Sequence, residues 1–287
     1  MPTRTLACLA LAVLTGCSAT PAAVGTPPAK QDKRHQIEAA QADCMKQKGF
    51  RYVPYVHKND LPEQRRKAFA GDYAAMKAER TKYGFFVFAA FVYPKEMNSP
   101  AVKPDNPDID PNWAILNALS PAQRKAYQNA STTCELDAIA KVTGKRVTSL
   151  QDWTTQMDDA IKARTERELD GDPTIVDLAA TMADCLKAKG YRIDSNKPTA
   201  MADRGRVAFE AQKTEIAKND DIPDTGLAKG QYFEPTNLTP DEARKYLNKE
   251  VKAALEDLEC GKDFYAAYLP KSDEIERQAS AEFGMLV

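Results

Sequence analysis

The cysteines are the residues of this sequence whose chemistry and spacing are most informative. Six are present: two lie within the first 17 residues, and four follow at Cys44, Cys134, Cys185 and Cys260. None of these four belongs to a close Cys-x-x-Cys pair, and the chain has only two histidines, so the spacing does not indicate a zinc site. An even number of cysteines in an exported chain instead predicts two disulfides, for which three connectivities exist.

An internal repeat chooses among these connectivities. Residues 42–52 read ADCMKQKGFRY, and residues 183–193 read ADCLKAKGYRI, so that seven of the eleven positions are identical. The second half of the repeat reads Leu119-Ser120-Pro121 to Tyr127 and Cys134 in one copy, and Leu238-Thr239-Pro240 to Tyr246 and Cys260 in the other. The tyrosine-to-cysteine spacing is 7 in the first copy and 14 in the second, and the difference of about two helical turns keeps the cysteine on one helix face.

The repeat therefore predicts one disulfide in each copy, Cys44–Cys134 and Cys185–Cys260. Each would close a long loop, and the chain-entropy model values such a closure at roughly 4.5 kcal/mol. The alternative use of these cysteines is a metal site.

The first 16 residues have the layout of a secretory signal peptide. Arg4 precedes the apolar run Leu6–Leu14, which is too short to span a bilayer. The run leads into Leu14-Thr15-Gly16-Cys17, which resembles the lipobox of bacterial lipoproteins. That resemblance implies cleavage before Cys17, diacylation of its sulfur and often acylation of its new amino group. The alternatives are an ordinary secreted protein that is cut elsewhere, or an uncleaved anchor.

The chain after Cys17 divides into a tether and two modules. Residues 18–31 (SATPAAVGTPPAKQ) hold three prolines and a single large apolar residue, so they predict a semi-extended tether. We predict a signal peptide at 1–16, a lipidated cysteine and tether at 17–31, a first helical module at 32–147, a linking helix at 148–172 and a second helical module at 173–287.

The charge balance limits the class of partner. Lys and Arg total 40 and Asp and Glu total 41, for a net charge of −1, whereas a protein that coats nucleic acid needs a clear basic excess. We therefore expect no nucleic-acid partner.

Apolar spacing predicts a mainly α fold with at most short strands. One helix is expected over Leu61–Tyr83, a linking helix over Leu150–Leu169 and a closing helix over Asp273–Phe283. The helix that carries Cys260 is expected to run on to Tyr268. Phe50–Val56 and Phe85–Tyr93 are the best strand candidates.

The second of these segments also offers a candidate binding surface. Phe86, Phe88 and Tyr93 would line a groove there, with core packing as the alternative.

Several short motifs of the first copy carry a family resemblance. They are Asp43-Cys44-Met45 with Gly49-Phe50, Tyr83-Gly84-Phe85, and Asp110-Pro111-Asn112 leading into Leu119-Ser120-Pro121, Tyr127 and Cys134. The pattern resembles a group of uncharacterised secreted or lipid-anchored proteins of actinobacteria. The second copy keeps both cysteine segments but lacks the Tyr-Gly-Phe motif. The resemblance implies location and architecture, and it carries over no functional residue.

The sequence contains no recognisable catalytic motif. It has no Gly-x-Ser-x-Gly, no His-Glu-x-x-His and no Walker loop, and we read its two histidines, His35 and His57, as surface residues. Asp108, Asp110 and Asn112 alternate as in a calcium loop, but Trp113 replaces its glycine and Leu119 its final glutamate, so an EF-hand is not supported. We predict no cofactor and no metal.

Together these observations favour a lipoprotein anchored on the extracytoplasmic face of the cell membrane. Its role would be non-catalytic: it would bind a small-molecule ligand or an envelope protein. The alternative is a secreted hydrolase that uses carboxylates or a Ser/Lys pair.

Overall fold

The chain folds into helices joined by turns. The computed structural model describes residues 32–58, 61–99, 102–103, 108–218 and 238–285, and these residues form eleven helices and no strand. The predicted signal peptide, Cys17 and the tether lie outside them. The helices are α1 (Lys33–Gln47), α2 (Glu63–Phe69), α3 (Tyr73–Tyr83), α4 (Ala89–Val92), α5 (Asn112–Asn117), α6 (Pro121–Thr143), α7 (Leu150–Glu168), α8 (Pro173–Ala188), α9 (Pro198–Lys218), α10 (Pro240–Cys260) and α11 (Lys262–Phe283). The mainly α fold is confirmed.

The sequence repeat is also a structural repeat. An aspartate caps the start of the two helices that carry the first cysteine of each copy: Asp32 precedes α1, and Asp172 precedes α8. In both cases the aspartate side chain accepts backbone N–H groups of the first helical turn. Both helices are followed by a glycine with positive φ, Gly49 at 81° and Gly190 at 87°. Glycine adopts this backbone conformation at little cost, so it suits the position after a helix end.

The partner helices α6 and α10 begin in the same way as each other. Ser120 and Thr239 each form a capping box, and a proline occupies the first helical turn in both. The two predicted disulfides join these helices to α1 and α8: Cys44–Cys134 has a Cα–Cα distance of 5.5 Å, and Cys185–Cys260 one of 5.6 Å. Each copy therefore contains a disulfide-tied helix pair.

Helix α11 contributes to the cores of both copies. Its first turns place Phe264 and Tyr265 in the cluster around Met182 and Leu258 of the second copy. Its last turn places Phe283 against Ile37, Ile139 and Trp153, and the Trp153 indole donates to the Phe283 carbonyl at 3.1 Å. Helices α3 and α4 of the first copy also pack on α10 of the second. Residues Asp32–Val287 consequently form one compact unit.

Neither strand candidate forms a strand. Residues 50–58 are extended without a partner strand; instead, the Asn112 side chain accepts the Val53 N–H and donates to the Val53 carbonyl, both at 2.9 Å. A side-chain amide thus takes the place of a neighbouring strand. Residues 85–88 form a turn in which Phe86 has a φ of 70°, and α4 follows directly.

Two helix boundaries also differ from the sequence expectation. The helix expected over residues 61–83 divides into α2 and α3 around Gly71, which has a φ of 85°. The break expected near residue 270 lies instead at Gly261, and α11 continues through Pro270. A Cβ atom at Gly261 would lie 2.7 Å from the Met182 sulfur and 2.8 Å from the Tyr265 ring, so a larger residue there would displace these buried side chains. None of the helices in the described part of the chain is long and apolar enough to cross a membrane.

Candidate functional site

A cleft of about 370 Å³ opens between α1 and α6 of the first copy. The extended segment 50–58 and helix α5 form its other walls. The lining side chains are mostly polar: Arg34, Glu38 and Gln41 from α1, Tyr52, Tyr55 and His57 from the extended segment, Asp110, Asn112, Trp113 and Leu116 around α5, and Tyr127, Gln128, Ser131, Thr132 and Glu135 from α6.

Glu38 is the best-satisfied carboxylate of the cleft. The Glu38 side chain is almost fully buried, but both of its oxygens have partners. Oε1 lies 2.6 Å from Arg34 Nη2. Oε2 accepts the Tyr52 hydroxyl at 3.0 Å and the Tyr55 N–H at 3.2 Å. Burial, reinforced by the Glu38 charge, raises the pKa of Tyr52, so this hydroxyl remains a donor at neutral pH. Glu38 therefore holds the extended segment against α1, and both of its oxygens are already engaged.

Two buried polar atoms of the cleft have no hydrogen-bond partner among the described residues: Gln41 Oε1 and Tyr127 Oη. Gln41 is 2% exposed, and its Nε2 donates to Ser131 Oγ at 3.1 Å and more weakly to the Ser131 carbonyl at 3.4 Å. Because a carbonyl can only accept, these contacts assign nitrogen to that side of the amide and leave Oε1 as the unused acceptor. Tyr127 is 5% exposed.

Glu135 carries the least compensated charge of the cleft. Its side chain is 18% exposed, and its contact with a cation is a long one, 4.0 Å from Arg34 Nη1. No hydrogen bond from the described residues reaches its carboxylate. Burial raises the pKa of Glu135; the Arg34 guanidinium opposes that rise, and the Glu38 carboxylate adds to it. A positive group placed beside Glu135 would reverse the rise.

The rim of the cleft is aromatic and acidic. Trp113 is 58% exposed at the start of α5. Asp110 accepts the Asn112 N–H and side-chain amide, each at 2.8 Å, and so fixes the orientation of the Asn112 side chain that holds the extended segment. His57 is 63% exposed, with its Nδ1 3.5 Å from Asp108.

The structure places the predicted aromatic surface in a core. Phe88 is fully buried and stacks on Tyr246 of α10, with 5.0 Å between ring centroids. Phe86 and Tyr93 are half-buried and pack against Tyr83. Since Phe88 has no exposed area, the three rings do not line a groove, and core packing is their use.

The other residues singled out by sequence fall into three groups. Cys17 lies outside the described residues, and the other four cysteines are the two disulfides. His35 is half-exposed and pairs with Asp32, the cap of α1. No group of three His, Cys, Asp or Glu side chains suited to a metal ion occurs in the part of the chain that the structure describes, the Asp108 region included as far as it is described.

Sequence reasoning did not predict the cleft, although it named several of its lining residues for other reasons, among them His57, Asp110, Asn112 and Tyr127. Helical spacing held a further signal. Arg34, Glu38 and Gln41 follow the same face of α1 as the buried Met45, and Tyr127, Ser131 and Glu135 recur every four residues along α6. Polar residues on a face that must be buried are unusual, and they indicate either a hydrogen-bond network or a site.

Comparisons of the chain with protein-family models, with curated proteins and with solved structures found no match.

Proposed function

We propose that this protein is an extracytoplasmic lipoprotein, anchored in the cell membrane through Cys17, that captures a small ligand without chemically changing it. The anchor rests on the lipobox Leu14-Thr15-Gly16-Cys17 and on the Pro-rich tether that follows it. Two long-range disulfides fit an oxidising compartment outside the cytoplasm.

The anchor is tested by the intact mass of protein extracted with detergent from its native membrane. We expect a chain that begins at Cys17 and carries two or three acyl chains, and a Cys17→Ser variant that is released from the membrane fraction. A wild-type chain with unmodified Cys17 would contradict the proposed anchoring.

The unpartnered pair Gln41 Oε1 and Tyr127 Oη carries the proposal of ligand capture. A buried polar atom without a partner costs about 1–3 kcal/mol, so folded proteins keep few of them. Here both atoms belong to side chains that line one cleft, and a ligand that reaches them would supply the missing hydrogen bonds. This arrangement favours a binding site over a purely structural core.

Ligand capture is tested by blocking the cleft from an exposed position. Gln128 lines the cleft from the exposed face of α6, whereas its exposed neighbour Asn129 does not. Wild-type and Asn129→Trp proteins, purified gently from native membranes, should release the same small molecule on denaturation, as read by mass spectrometry. Gln128→Trp should release at least tenfold less. Equal release from all three proteins, or none from the wild type, would contradict ligand capture in this cleft.

A hydrolase remains the second candidate because the cleft gathers carboxylates from both ends of the first copy. Glu38 lies on α1 and Glu135 on α6, the first and last helices of the first copy, and Asp110 lies between them in the chain. A carboxyl group whose pKa is raised by burial suits a general acid. Turnover of aryl glycosides or aryl esters that Glu135→Gln abolishes would favour this candidate over ligand capture.

A further inference from the structure

We infer that the ligand of the cleft is a small organic cation with N–H donors, an amine or guanidinium compound carrying an apolar group. This inference rests on the proposed ligand capture and names its chemical class. It follows from three properties of the cleft: its unused hydrogen-bonding atoms, its charge and its rim.

The unused atoms call for a donor. Gln41 Oε1 is an acceptor only, and the contacts of Nε2 with Ser131 fix the amide in this orientation. The Tyr127 hydroxyl accepts as well as donates. Glu135 has two carboxylate oxygens that receive no hydrogen bond from the described residues. An ammonium or guanidinium group has only donors, so it matches this set.

The charge of the cleft calls for a cation. Three carboxylates, Glu38, Asp110 and Glu135, line it together with one guanidinium, that of Arg34. Arg34 is already engaged by Glu38 at 2.6 Å, compared with 4.0 Å to Glu135. A largely buried carboxylate without a close counter-ion is costly, and a bound cation would remove that cost. An anion would face the same negative excess and be repelled.

The rim calls for an apolar group beside the charge. Trp113 exposes more than half of its surface, and Leu116 lies one turn further along α5 in the same lining. An indole face attracts cations and packs against apolar groups, with a contribution of about 0.5–1 kcal/mol at exposed sites. A cavity of about 370 Å³ admits a molecule the size of an arylalkylamine.

The experiment compares a cation with its neutral analogue on the full-length, detergent-solubilised protein. The probes are 2-phenylethylamine, 2-phenylethanol and methyl glucoside, and binding is measured by calorimetry at pH 7. We expect the amine to bind at least tenfold more tightly than the alcohol. Glu135→Gln should weaken binding of the amine at least tenfold. Glu259→Gln changes an exposed carboxylate of α10 and should leave binding of the amine unchanged.

The outcomes separate the two proposals. The inference that the ligand is a cation would be overturned by any of three results: equal binding of the amine and the alcohol, binding of the glucoside alone, or no binding of the amine. Methyl glucoside binding that Gln128→Trp removes would overturn it while supporting the cleft as a ligand site. The release experiment with Gln128→Trp and Asn129→Trp judges ligand capture itself, whichever class the ligand belongs to.

Discussion

The carboxylate of Glu250 accepts the backbone N–H of Phe88 at 2.9 Å, across 162 positions of the chain. Its other oxygen accepts the N–H groups of Phe85 at 2.7 Å and Val87 at 2.9 Å. Burial raises the pKa of Glu250, and these three donors act against the rise. A fully buried carboxylate of the second copy therefore holds the turn that interrupts the first copy between α3 and α4.

Replacing Glu250 by glutamine should destabilise the protein by about 2–4 kcal/mol, because an amide has one acceptor oxygen and would turn its NH₂ group toward a backbone donor. Urea unfolding at pH 7 measures the change. Glu259→Gln, at an exposed position of the same helix, should alter the free energy of unfolding by less than about 0.5 kcal/mol. Equal effects of the two substitutions would show that the three hydrogen bonds add little.

Gly84→Ala should be more destabilising than Gly144→Ala. Gly84 has φ 62° and ψ −125°, a backbone region open almost only to glycine, and a Cβ there would lie 2.7 Å from Glu250 Cγ. Gly144 has φ 75° and ψ 4°, an ordinary left-handed helix cap with nothing within 4 Å of an added Cβ. We expect a loss above about 3 kcal/mol for the first and about 1 kcal/mol for the second. Thermal unfolding distinguishes them, and a larger loss for Gly144→Ala would contradict this account.

Asp257→Asn should destabilise the core of the second copy by about 3–5 kcal/mol. The fully buried Asp257 carboxylate binds Arg80 at 2.7 Å, Arg204 at 3.0 Å and the Tyr265 hydroxyl at 2.6 Å, so its loss leaves two guanidinium groups without their anion. Asp184→Asn is the matched control, because Asp184 is 78% exposed and forms one surface ion pair. Chemical denaturation measures the free energy of unfolding of both variants. A decrease below about 1 kcal/mol for Asp257→Asn would contradict the prediction.

Glu135→Gln should stabilise the unliganded protein at neutral pH while weakening cation binding. The pKa of Glu135 is raised in the folded state, so between the unfolded and folded pKa values the folded protein holds the extra proton. The free energy of unfolding therefore falls as pH rises through that window, and the variant lacks this fall.

Melting temperatures of the wild type and Glu135→Gln should nearly coincide at pH 4 and diverge toward pH 7, with the variant higher. The other charged and titratable groups of the cleft are present in both proteins, so the comparison isolates the effect of Glu135. They are Arg34, Glu38, His57, Asp110 and the tyrosines at 52, 55 and 127. A difference that is constant with pH would contradict the raised pKa.

Local patterns of the sequence were sufficient to predict much of the architecture. The repeated Asp-Cys and Leu-Ser/Thr-Pro segments gave the correct disulfide pairing, because helical period and chain spacing alone place each cysteine on its helix face. The helix caps at Ser120 and Thr239 followed from residue type, since a side-chain oxygen and a proline suit a helix start wherever the helix packs.

Tertiary structure alone decided the turn at residues 85–88 and the composition of the cleft. The apolar run 85–93 has the composition of a strand, but no strand pairs with it among the described residues. Instead the buried Glu250 carboxylate accepts the N–H groups of Phe85, Val87 and Phe88. Glu38 and Glu135 lie 97 positions apart and meet because a disulfide clamps α1 to α6. Periodicity shows which face of a helix is buried, but whether a buried polar group is satisfied depends on atoms from distant segments that only the folded chain brings together.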